Sequence, residues 1–247
     1  MFEIFKRNKK KEVVPIFEAL GTDMHCHLLP GVDDGSGSME ESVACMQTMH
    51  ACGYKRVHYT PHYQSPRFPN TEEDIKQRYA LLLEGMKKQD VELEMAGVAG
   101  EYRIDEGFEA RMKENKFLKV NDQYLLVELS LHQPWMGVEN ILFDLHTMGY
   151  DVILAHPERY PYFGSRSEAL ERIKETGVLF QVNVLSLNGF YGESAQRNAF
   201  DMIENGWIDL MGTDMHNRMY ASALEACTRN RQIQKIMETK EFLNNKL

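Results

Sequence analysis

Short apolar runs alternate along the chain with stretches whose apolar residues recur every three or four positions. The runs TDMHCH, KRVHYT, ELEMAGVAGE, QYLLVELS, DVILAH, GVLFQVN and WIDLMGTD read as strands. Between them MEESVACMQTMHACG, TEEDIKQRYALLLEGMKKQ, GVENILFDLHTMG, SEALERIKETG and SAQRNAFDMIENG read as amphipathic helices. Ser38, followed by Glu41, predicts a capping box that opens the first helix. Gly53, Gly149, Gly177 and Gly206 stand where helices should stop. Repeated βα units imply parallel strands with helical crossovers, in a doubly wound sheet or a closed barrel. The seven strand-like runs are one short of the usual barrel of about eight.

No glycine-rich dinucleotide loop, no phosphate-binding loop ending in Lys-Ser/Thr and no low-complexity linker interrupts this pattern. The expectation is a basic tail and lead-in over 1–20, then one domain over 21–247. The chain of 247 residues, 43% hydrophobic and 26% charged, can bury a full core. Its net charge of -9 argues against nucleic acid as a partner, yet leaves room for local cations around a single phosphate. The four cysteines show neither zinc-knuckle spacing nor a disulfide framework. No signal-peptide apolar region and no bilayer-spanning run is present. A cytoplasmic protein with reduced thiols, not an integral membrane protein, is expected. The opening MFEIFKRNKKK is expected to be a solvated tail.

The polar residues within this pattern carry the chemistry. His25 and His27 close the first strand, His62 follows the second and Glu101 ends the third. Glu128 ends the fourth, His156 caps the fifth, and Asp214 with His216 closes the last. In a β/α barrel those strand ends meet on one face, where active sites form. Alternate strand residues share a face, so His25 and His27 point together and Cys26 points away, against a helix. The following LLPGVDDGS loop returns a carboxylate toward the pair, and spacing does not choose between Asp33 and Asp34. Any one of these residues could be an exposed strand end or a hydrogen-bonded core group. Burying all of them without a cation would cost several kcal/mol per unpaired charge, so together they indicate a metal cluster. His50 and His146 fall on helices and are expected in solvent, and His58 and His132 are expected outside the site.

Mixed imidazole and carboxylate ligands suit manganese, iron or zinc, and the number of ligands exceeds what one ion uses. Such clusters polarise substrate oxygens and lower the pKa of bound water to about 7, so that hydroxide attacks in line on a phosphate ester. Arg159, three residues after His156, is read as a phosphate clamp because its planar fork matches two phosphate oxygens. Arg218, close behind His216, is the weaker second candidate for substrate binding, and Arg67 in YQSPRFPN has two readings, substrate recognition and the favoured one, loop solvation.

The ordered set DMHCHLLPGVDDGS, TPHY, GVAGE, VELS, AHPERY and GTDMHN resembles the PHP (polymerase and histidinol phosphatase) superfamily. Within it, the likeness is to the bacterial capsular-polysaccharide protein-tyrosine phosphatases, and it runs from Thr22 to about Asn217. The resemblance implies a distorted seven-stranded, TIM-like β/α barrel with three divalent ions, most often manganese. It implies one ion on His25, His27, Glu101 and Asp214, a second on Glu101, Glu128 and His156, and a third on Asp34, His62 and His216. It thus selects Asp34, and it matches Arg159 to a phosphate-binding arginine. It implies a phosphotyrosine protein as substrate, in particular a bacterial tyrosine kinase that controls capsule or exopolysaccharide synthesis. The competing readings are a small-molecule phosphatase of the histidinol phosphatase type and a non-catalytic metal-binding partner of an export complex. Two features depart from the family pattern: Tyr63 stands where a second histidine is common, and the segment after His216 is short. No Cys is followed six positions later by Arg, so a thiol mechanism is not expected.

Overall fold

The computed structural model describes residues 13–89, 91–164 and 167–247; the basic run at the start of the chain lies outside them. The fold is α/β with parallel strands. β1 (Thr22–Asp23), β2 (Arg56–Tyr59) and β4 (Glu94–Val98) form one sheet. β3 (His62–Tyr63), β5 (Glu101–Arg103), β6 (Tyr124–Glu128), β7 (Asp151–Ala155), β8 (Leu179–Asn183) and β9 (Leu210–Gly212) form the other, in that order.

Each of the seven strand-like runs contains one of β1, β2, β4, β6, β7, β8 and β9, and among the described residues two further short strands, β3 and β5, extend the second and third runs past their ends, giving nine. Pro61, which has no N–H to give a ladder, separates β2 from β3, and Gly100 separates β4 from β5. The register is the same on both sides of the breaks: Tyr59 faces Val98 and His62 faces Glu101, an offset of 98 − 59 = 101 − 62 = 39. Backbone bonds bridge the gap, from the Ala99 N–H to Tyr59 at 2.7 Å and from the Glu101 N–H to Pro61 at 3.0 Å. The chain beyond β1 also meets the chain beyond β9. The His27 N–H donates to the Met215 carbonyl and the Asp214 N–H to the His25 carbonyl, both at 2.8 Å.

The helices α1 (Met39–Ala51), α2 (Glu72–Met86), α4 (Val138–Thr147), α5 (Glu168–Glu175) and α6 (Glu193–Glu204) match the periodic segments. Three more, α3 (Phe108–Glu114), α7 (Arg218–Cys227) and α8 (Arg231–Thr239), lie where no helix was read. The Ser38 hydroxyl caps α1 by accepting from the Glu41 N–H at 3.2 Å, worth about 1 kcal/mol. The reciprocal arm is displaced by one residue, since the Glu41 carboxylate accepts from the Gly37 N–H. Gly53, Gly149, Gly177 and Gly206 take φ of 112°, 89°, 89° and 72° at the ends of α1, α4, α5 and α6, as left-handed helix stops. The lead-in is packed rather than loose: Phe17 is buried and stacks on Tyr54 at 5.3 Å.

Apolar side chains sort into two clusters by strand alternation. Leu125, Val127, Val152 and Leu154 belong to the large cluster that also takes in the helices, and Cys26 packs there too. Leu126, Ile153, Ala155, Leu210, Met24 and Leu247 form a small cluster on the other strand face. No helix among the described residues is long and apolar enough to cross a membrane.

Candidate metal centre

The face that carries the small apolar cluster continues into a polar one. Glu128 lies two residues beyond Leu126 on β6 and so shares its face. Glu101 is in register with His62 on β3, and Arg103 with Glu128. His156 directly follows Ala155, so simple alternation would turn it outward. Its φ of 35° breaks the alternation and brings the imidazole to Glu101, with Nε2 3.0 Å from Oε1. Positive φ is uncommon for a residue other than glycine and concentrates at functional sites. Asp214, at φ 52°, is a second case. The loop after His27 folds back tightly: a Cβ on Gly35 would stand 2.0 Å from the His27 carbonyl oxygen.

Three imidazoles have their tautomer set from behind. His25 Nδ1 lies 2.8 Å from Gln181 Oε1, an atom that can only accept, so Nδ1 carries the hydrogen. His27 Nδ1 donates to Asp33 Oδ2 at 2.9 Å and His216 Nδ1 to the Asp214 carbonyl at 2.7 Å. In neutral rings Nε2 is then bare, the arrangement of metal-binding histidines. These bare atoms converge. His25 Nε2 is 3.2 Å from His27 Nε2 and 3.3 Å from Glu101 Oε1, and His27 Nε2 is 3.3 Å from Asp214 Oδ1. His216 Nε2 is 3.6 Å from Asp34 Oδ1. Such nitrogens and carboxylates crowded in a dry interior need positive charge among them, from ring protons or from bound cations. Glu101 Oε2, Glu128 Oε1, His62 Nδ1 and His156 Nδ1 are also buried without an aligned hydrogen-bond partner. Among the described residues four donor sets suited to a metal result: His25–His27–Asp214, His25–Glu101–His156, His62–Glu101–Glu128 and His27–His62–His216.

The charges are strongly coupled. Burial and the neighbouring His27 pull the His62 imidazole down, but the Glu101 and Glu128 carboxylates outweigh them and push it up to about 10. Burial opposes ionisation of Glu101 and Asp214, yet the surrounding histidines hold both carboxyls well below their ordinary range.

Eight of the nine residues expected as ligands fall in these overlapping sets, and Asp34 stands outside them, with His62 and His216 as its neighbours. His62 is shared more widely than expected: its Nδ1 faces Glu101 at 2.9 Å and Glu128 at 3.4 Å, while Nε2 faces Asp34 at 3.4 Å. Asp34 faces His62 and His216, whereas Asp33 stands behind His27 and buttresses it. Arg159 lines a cavity of about 330 Å³ over the cluster, together with Glu128, His156, Asp214 and His216. It donates to Asp214 Oδ2 at 2.7 Å and lies 4.1 Å over the Tyr191 ring. Arg218, the first residue of α7, is exposed and is not among the residues lining this cavity, because the short segment after His216 enters the helix at once. Arg67 is exposed, as expected, and it also lines the cavity and donates to Asp34 Oδ2 at 3.1 Å.

Sequence reading passed over Arg103, Gln181 and Asn183. Arg103 shares a face with Glu101 two residues before it. Gln181 and Asn183 share a face of β8, and Asn183 donates to Asp214 Oδ2 at 2.8 Å. The alternation that found His25 and His27 would have found all three.

Residues 21–244 match a family profile described as capsular polysaccharide synthesis, CpsB/CapC. The chain belongs to the CpsB/CapC family. Among its relatives in that family is the tyrosine-protein phosphatase YwqE of Bacillus subtilis, 27% identical over 196 residues that span 79% of this chain and 77% of YwqE. The tyrosine-protein phosphatase CpsB of Streptococcus pneumoniae is 26% identical over 201 residues, 79% of this chain and 82% of that one. A crystal structure from work on YwqE and CpsB, described there as metal-dependent tyrosine phosphatases, superposes with a TM-score of 0.74 at 24% identity, covering 88% of this CpsB/CapC chain and 91% of the other. Histidinol phosphate phosphatase from Lactococcus lactis shares the fold more distantly, with a TM-score of 0.54 at 14% identity over 90% of this chain and 95% of that one.

Proposed function

We propose that the chain is a metal-dependent protein-tyrosine phosphatase acting on a phosphotyrosine protein, its partner being a bacterial tyrosine kinase of capsule or exopolysaccharide synthesis. The observation that carries this reading is the convergence of bare Nε2 atoms on buried carboxylates, beneath a cavity walled by Arg159. Tyrosine phosphatase is also the activity in the names of the relatives YwqE and CpsB. We read the nine strands as seven staves of a distorted ring, two of them interrupted, joined across β9 and β1 by the bonds of His25 and His27.

The donor set fits three divalent ions, with manganese first and iron or zinc as alternatives. His25, His27, Glu101 and Asp214 would hold one, Glu101, Glu128 and His156 a second, and Asp34, His62 and His216 a third. When bound, such ions supply Lewis acidity toward phosphoryl oxygens and lower the pKa of water to about 7. Asp33, Gln181 and the Asp214 carbonyl orient the ligand rings. Arg159 has five donors, so its bond to Asp214 leaves others to hold phosphate oxygens and offset their charge. Tyrosine, with a reference pKa of about 10, departs as phenolate with little help from an acid. The cysteines offer no competing nucleophile: burial pushes the Cys45, Cys52 and Cys227 thiols up to about 12 and raises Cys26 as well, and the thiolate is the reactive form.

The test compares manganese-loaded protein on a phosphotyrosine peptide and on histidinol phosphate. Faster turnover of the peptide is expected, and faster turnover of histidinol phosphate would replace this reading with the small-molecule one. Binding of the kinase without release of phosphate from any ester would leave the non-catalytic reading.

A further inference from the structure

Beside the metal cavity lies a second cavity of about 250 Å³, and the two share Gln64 and Arg103 as a common wall. None of the phosphate chemistry above uses it. In a chain of net charge -9 its lining is cationic, with Arg103 and Arg111 against one carboxylate, Asp105. That carboxylate is already engaged, accepting from the Ser65 N–H at 2.9 Å and the Gly107 N–H at 2.8 Å. Among the described residues no carboxylate lies within 4.0 Å of the Arg111 guanidinium, and the one that near to Arg103 is Glu128 at 3.9 Å.

Arg111 is positioned by an aromatic platform. Its guanidinium lies 4.9 Å from the centre of the Tyr63 ring and 5.5 Å from that of Tyr102, and these two rings stack at 4.4 Å. Glycine at position 100 permits the stack, since a Cβ there would come within 2.6 Å of the Tyr63 ring and 2.8 Å of the Tyr102 ring. A guanidinium held by its face keeps its N–H edge for an anion.

We propose that this second cavity receives an acidic side chain of the phosphoprotein next to the phosphotyrosine, with the peptide crossing the Gln64–Arg103 wall from one cavity to the other. The inference rests on the protein-tyrosine-phosphatase reading. Tyr63 thereby acquires a role as the floor beneath Arg111.

Two phosphotyrosine peptides that differ only in glutamate or glutamine beside the phosphotyrosine, together with phenyl phosphate, test it on the manganese-loaded full chain. The wild type should favour the glutamate peptide by about three- to tenfold in kcat/KM, mainly through KM, as expected for a half-exposed charge pair. Arg111→Gln should turn over the two peptides equally, Arg111→Lys should keep part of the preference, and phenyl phosphate should be hydrolysed alike by all three proteins. No preference in the wild type, or the same preference in Arg111→Gln, would overturn the inference while leaving the phosphotyrosine reading intact. Hydrolysis of phenyl phosphate with neither peptide turned over would overturn both.

Discussion

Leu126 and Glu128 leave the same strand on the same face, yet they belong to differently built parts of the interior. Leu126 joins Ile153, Leu210 and Leu247 in a small apolar cluster, and the buried Asn244 lies three residues before Leu247. The Asn244 amide is fully used: its NH2 donates to Thr22 O at 2.9 Å and Met211 O at 2.7 Å, and its oxygen accepts from the Met211 N–H at 2.9 Å. Around Glu128 the rule is reversed, for buried nitrogens and oxygens crowd together and four of them lack an aligned partner. Buried polar groups are normally satisfied. One end of the strands is therefore organised for stability, and the other bears an electrostatic cost that bound cations would offset.

Substitutions at the two ends should thus fail in different ways. The largest effect is expected for His27→Ala, which removes an Nε2 shared by two donor sets. Activity should fall about a thousandfold, several kcal/mol of transition-state stabilisation, along with metal content. A folded variant that retained both would blur the distinction. Asn244→Ala should do the converse. Losing three buried hydrogen bonds costs about 2–4 kcal/mol of stability, read from denaturant unfolding, while activity per folded molecule and metal content stay unchanged. Asp33→Asn should be milder, because the His27 ring keeps a hydrogen-bond acceptor but loses the charge behind it. About a tenfold loss of metal affinity, measured by competition with a chelator, fits an outer-layer partner.

A further contrast concerns pH. In chelated protein the folded state holds the His62 proton with a pKa of about 10, against about 6.5 in the unfolded chain. A raised folded pKa contributes stability that is complete below the lower value and lost as pH rises through the upper one. The melting temperature of the chelated protein should fall between about pH 6.5 and 10, and more steeply than that of the metal-loaded protein. Equal slopes would remove the link between the proton and the metal.

Much of this contrast was legible in the sequence, because both ends follow from alternation along strands. His25 with His27 and Asp214 with His216 were visible as same-face pairs, and the glycine stops located four helix ends. What escaped depended on contacts distant in sequence or on backbone geometry. The strand breaks at Pro61 and Gly100 come from residues that weaken a ladder, but only pairing across the breaks shows that the register survives. His156 reaches Glu101 through a φ that no residue type announces. α3 spans seven residues, too few for a helical period to stand out, whereas α7 and α8 lie beyond the last metal-ligand candidate. Asp33 and Asp34 are chemically alike in the sequence, and only the loop's return over His27 places one behind the ring and the other opposite His62 and His216. Closeness to His216 in sequence does not show the turn into α7 that leaves Arg218 exposed.

The central claim is that the crowded end holds cations that the chemistry requires, with Arg159 acting on phosphate beside them. The most direct test is elemental analysis paired with phosphotyrosine-peptide hydrolysis on wild type, His156→Ala and Arg159→Ala. His156→Ala should lose metal and activity together. Arg159→Ala should keep its metal while activity falls about a hundredfold, the scale for removing one preorganised donor. Full metal content and full activity in both variants would contradict the account.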